Sequence, residues 1–199
     1  MAEQIRDGTG KGFLAKVDSE NRLIVHADQN SEEHNIAHQF ARAYIANTAD
    51  TAPTLTVASD GNIYDILYAE NSDPDRIINI HDIRITTDTA GIVVQVIRNP
   101  ILGSVGANNA HTPQNTNFQS DLAANGVFHN WDESGDTGIT GITGGAVLES
   151  HSLRGSNTVF LYESAVLLFQ GNSLSLRVIN NTGGNVEVAA TFRFYYEAA

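Results

Sequence analysis

The chain of 199 residues carries 11 basic and 23 acidic residues, a formal net charge of −12, and no cysteine. That balance argues against a nucleic-acid surface, which needs clustered Lys and Arg, and the lack of cysteine rules out disulfides, thiolate metal sites and a Cys nucleophile. No apolar signal core opens the chain and no run approaches ~18 apolar residues, so a membrane partner and a secretion route are not expected.

The first 28 residues stand apart. Both lysines, Lys11 and Lys16, fall there with Arg6 and Arg22 against five acids, a net of −1, whereas residues 29–199 hold seven arginines and eighteen acids, a net of −11. A near-neutral arm bound among other subunits and an acidic body facing solvent would account for the split. Asp7-Gly8-Thr9-Gly10-Lys11-Gly12 puts three glycines in five residues, a density that suits tight turning or close backbone approach. A hairpin is predicted next, Phe13 to Val17 and Arg22 to His26 around the turn Asp18-Ser19-Glu20-Asn21. A lone hairpin is marginal in water, so the segment has to pack on a body or a neighbour. The expected organisation is a docking arm over 1–28 and one domain over 29–199.

Within this arm, the DGTGxG run at 7–12, Ala15-Lys16-Val17-Asp18 and Asn21-Arg22-Leu23 occur together and in order. In that respect residues 5–27, about an eighth of the chain, resemble the N-terminus of a group of tailed-bacteriophage virion structural proteins. The resemblance implies a non-enzymatic particle component, assembled in the host cytoplasm and resident in the virion as a capsid decoration or cement protein. On that basis Ile5, Arg6, Asp7, Gly8, Gly10, Gly12, Phe13, Lys16, Arg22 and Leu23 would form a capsid-docking arm. The partners would be the major capsid protein or other virion proteins, with the bodies clustering as homotrimers.

Beyond the arm, residues 31–45 fit two readings: Ile36, Phe40 and Tyr44 recur every four residues behind a possible Ser31 cap, while residues 39–47 also suit a strand. The strand is preferred. Clearer strands are expected over Thr54–Ala58, Ile63–Glu70, Arg76–Thr87, Ile92–Arg98, Ala146–Leu153, Val159–Phe169, Ser173–Asn180 and Asn185–Glu197. Leu174, Leu176 and Val178 alternate with Ser173, Ser175 and Arg177, as in a half-buried antiparallel strand. Turn clusters at 60–62, 72–75 and 181–184 separate the runs. The fold class is therefore all-β, an antiparallel β-sandwich, with the jelly roll as its expected form. The closing run Thr191–Glu197 is similar to the last strand of many viral jelly rolls.

Residues 99–145, rich in Asn, Gly and Thr, interrupt the strand rhythm as a long insertion, which is normally functional or disordered. It holds Phe128 and the single tryptophan, Trp131. Exposed, these two rings would anchor an interface; buried, they would clamp the loop. An exposed Trp131 would also suit an alternative function, a tail- or fibre-associated module stacking on carbohydrate or a receptor.

No chemical motif completes itself. His34 and His38 have helical metal-ligand spacing, but Asn35 stands where a zinc protease needs Glu. The glycine run at 8–12 lacks P-loop spacing, and Gly103-Ser104-Val105-Gly106 lacks that of a nucleophile elbow. The acidic loops Asp73-Pro74-Asp75 and Asp132–Asp136 do not follow the EF-hand pattern. Catalytic residues, metals and cofactors are therefore not expected.

Overall fold

A computed structural model describes residues 4–6, 12–14, 42–48, 55–59, 63–103, 110–117, 119–131, 139, 141–153, 158–162 and 166–199. The chain separates into two compact units, Met1–Glu32 and Glu33–Ala199. In the first, strands β1 (Gln4–Arg6) and β2 (Gly12–Leu14) pair antiparallel, with Ile5 opposite Phe13. The glycine-dense residues 7–11 connect them in sequence. Apart from residues 13–14, the hairpin predicted over 13–26 lies outside the described residues.

The second unit is an all-β sandwich of antiparallel sheets, with no helix among the described residues. Its strands are β3 (Ala43–Asn47), β4 (Leu55–Val57), β5 (Ile63–Glu70), β6 (Arg76–Thr87), β7 (Ile92–Arg98), β8 (Ile101–Leu102), β9 (Gln114–Asn115) and β10 (Val127–Asn130), followed by β11 (Ile142–Thr143), β12 (Ala146–Leu153), β13 (Thr158–Tyr162), β14 (Val166–Leu168), β15 (Ser173–Asn180) and β16 (Val186–Ala198). The first sheet runs β10-β5-β15-β7-β12. The second runs β13-β6-β16-β3-β9, with β14 beside β13 on β6 and β4 beside β3 on β16. From β4 to β7, and again from β12 to β16, each successive strand changes sheet except for the pairs that share an edge. That alternation is consistent with the two Greek keys of a jelly roll.

The core lies between the sheets, and its residue spacing shows how the strands were built. β16 keeps one inward phase, burying Val186, Val188, Ala190, Phe192, Phe194 and Tyr196, and Tyr195 on its other face is buried as well. Opposite it, β6 buries Ile78 and Ile80, then Ile83 and Ile85, so its inward phase slips by one residue. A β-bulge absorbs the slip, because Phe194 pairs with Ile80 while Arg193 pairs with Asp82, leaving His81 as the extra residue. The first sheet carries the same device: Arg177 faces Asp65 while Leu176 faces Leu67. Each fully buried Ile or Leu contributes about 1.5–3 kcal/mol relative to exposure.

Two expectations change. The strand expected over 159–169 is broken into β13 and β14, which pair with separate stretches of β6. The serine face of β15 is not half-exposed: Ser173 and Ser175 are buried, β15 being the middle strand of its sheet with Pro100 against Ser173. The Ser173 hydroxyl donates to the Pro100 carbonyl at 2.7 Å, and on β5 the Ile139 N–H donates to the Asp65 carbonyl at 2.8 Å.

Candidate functional site

Of the residues assigned to the docking arm, Ile5, Arg6, Gly12 and Phe13 lie in the β1–β2 hairpin. Asp7, Gly8, Gly10, Lys16, Arg22 and Leu23 lie outside the described residues, as do His34 and His38.

The insertion is a built part of the sandwich. β9 extends the second sheet through β3, β10 extends the first through β5, and β8 pairs with β11. Across this flank the Asn130 amide donates to the Asn47 carbonyl at 3.1 Å, joining the two sheets. The Tyr44 and Tyr196 hydroxyls donate to the Ala123 and Asn125 carbonyls. Phe128 and Trp131 take the buried alternative. Phe128 is 5% exposed and stacks on Phe194 at 5.0 Å, and Trp131 is 3% exposed and lies parallel to Tyr64 at 5.2 Å. Neither ring is presented as an interface anchor or a sugar platform, because each fills the gap between sheets that the insertion closes.

The acidic loop at 73–75 spends its oxygens internally. Asp73 accepts the Asp75 N–H at 2.9 Å and the Asn125 amide at 2.8 Å, and Arg76 lies 3.8 Å away. This is turn chemistry. Residues 132–136 lie outside the described residues.

Polar networks occupy both outer faces. On the first sheet the Asp65 carboxylate accepts the Ser175 hydroxyl and both Nε and Nη2 of Arg177, at 3.2 and 3.1 Å. With both partners largely buried, this bidentate pair locks β5 to β15 at the bulge. On the second, Asp82 accepts Arg84 at 2.8 Å with Arg193 at 3.8 Å, and Asn79 donates to the Tyr195 hydroxyl and the Glu197 carboxylate. Burial pushes the hydroxyl pKa of Tyr44, Tyr68 and Tyr196 upward, and at Tyr68 the hydrogen bond to Glu70 adds to the rise.

Among the described residues the opposite flank is open. β12 ends the first sheet, and six of its eight residues from Ala146 to Ser152 are exposed, with Val147 at 54% and Leu148 at 41%. Leu167 and Phe169, in and after β14, are exposed beside it, at 43% and 52%. Between the two edges lies a groove of about 360 Å³, lined by Leu148, Leu167, Leu168 and Leu174 with Arg98. β12 was legible as a strand, but its place at an edge was not. The available signal was composition: Glu149, Ser150, His151 and Ser152 put polar residues on both faces, which a strand paired on both sides and covered seldom tolerates.

No protein-family model and no curated protein matches the chain. Among solved structures, the crystal structure of the infectious bursal disease virus VP2 subviral particle shows 15% identity and a TM-score of 0.14 over 79% of this chain and 42% of that one. The chain thus spans less than half the length of that protein.

Proposed function

We propose that this chain is a non-enzymatic structural component of a bacteriophage particle, a decoration or cement protein that docks on coat subunits through its N-terminal arm. The observation that carries the reading is the arm itself: residues 5–27 resemble phage virion proteins, and the segment holding them separates from the sandwich as its own unit with a three-residue hairpin. So short a strand pair has little stability alone and gains it by adding to another surface. Strand addition supplies main-chain hydrogen bonds with little dependence on side chains, and repetition over a symmetric shell multiplies weak contacts into avidity. The near-neutral charge of residues 1–28 reduces repulsion from neighbouring acidic bodies. Deleting residues 2–27 tests the reading. Loss of particle binding with an unchanged melting transition of the body is expected, and retained binding would contradict it.

A further inference from the structure

We infer that the open edge is a homotypic contact: β12 of one copy pairs antiparallel with β12 of a second copy across a two-fold axis, joining two five-stranded sheets. The occupant follows from the register. Antiparallel partners directly opposite each other share a face, so a two-fold pairing must be centred on a residue. In β12, Glu149, His151 and Leu153 lie opposite Val96, Val94 and Ile92 of β7 and share the inward face; Ser150 and Ser152 lie opposite Gln95 and Val93 on the outward one.

Centring on Glu149 puts that carboxylate opposite its own copy, a like-charge pair that destabilises a sheet. Centring on His151 leaves Glu149 opposite Leu153. Centring on Ser150 places Glu149 opposite His151 twice and a small hydroxyl residue on the axis. A bulge at Leu148, between Val147 and Glu149, keeps the faces matched further along the strand, so that Val147 meets Ser152 and Ala146 meets Leu153. Seven of the eight residues then have same-face partners, Leu148 being the bulged one, with no like charges opposed. Glu149 and His151 already stand 3.0 Å apart within one strand, so the dimer would gather two acids and two imidazoles into one alternating row. The exposed Val147 and Leu148 would lie beside this seam and lose water on pairing.

Sedimentation velocity of the full chain over a wide concentration range tests the contact, with circular dichroism melts to confirm folding. The wild type should pass from monomer to dimer. His151→Glu and Glu149→Arg should each weaken the dimer about tenfold or more, and the double variant should restore it, because the swap keeps opposite charges opposed. Ser150→Pro should abolish it by removing the central N–H. A wild type that stays monomeric to its solubility limit would overturn the inference. So would an oligomer indifferent to the single variants, or one lost on deleting residues 2–27 but kept in Ser150→Pro, and a double variant that stays weak would overturn the register.

Discussion

The two flanks of the sandwich meet the same problem in opposite ways. A sandwich leaves two gaps where its sheets end. On one flank the 99–145 insertion fills the gap with Phe128 and Trp131, adds a strand to each sheet and ties them through Asn130 and Asn47. On the other, β12 and β14 have no such cover among the described residues, and Val147, Leu148, Leu167 and Phe169 are exposed. An edge closed by the chain's own aromatics is a device of stability, whereas a long exposed edge is a template for pairing with another chain.

The closed flank depends most on Trp131. Trp131→Ala should destabilise the body by about 4 kcal/mol, since it removes the ring stacked on Tyr64 and leaves a cavity under the insertion; chemical denaturation would read it. A loss below about 1 kcal/mol would mean that the closed flank does not depend on its aromatics. Asp65→Ala should cost about 3 kcal/mol by stranding the largely buried Arg177, with the loss again read in denaturant. A pH titration sharpens the same point. Tyr44 and Tyr196 serve the closed flank and Tyr68 lies on the first sheet, and all three have raised pKa values. Above pH ~10 the unfolded chain releases protons that the folded chain retains, so stability should be level below that pH and fall above it, by up to about 1.4 kcal/mol per pH unit for each tyrosine. Tyr68→Phe should make that fall shallower. On the open flank, Leu148→Ser should change the stability of the monomer by less than about 0.5 kcal/mol, because the side chain is already 41% exposed.

Much of the sandwich was legible in the sequence. Ile63–Glu70, Arg76–Thr87, Ile92–Arg98, Ala146–Leu153 and Ser173–Asn180 form strands over the expected spans; the first three are rich in Ile, Val, Thr and Tyr, and Ser173–Asn180 alternates apolar with polar residues. The spacing of Ile78, Ile80, Ile83 and Ile85 holds a three-residue step among two-residue steps, but a bulge follows from it only once the pairing with β16 is known. The 99–145 insertion was legible as an insertion, but its strands were not, because strands of two to four residues such as β8 to β11 are too short to show a period. Nor was the buried serine face of β15, because serine reads as solvent-facing until its neighbours in the fold are known. The candidate contact surface was not legible: a pair of polar residues two apart in a strand carries no signal of its own, and only the topology places Glu149 and His151 at an edge.

The measurement that tests the central claim most directly is quantitative mass spectrometry of purified phage particles, giving the copy number of this chain relative to the major coat protein. A number comparable with that of the coat subunits is the result expected of a decoration protein; a handful of copies, or none, would contradict it.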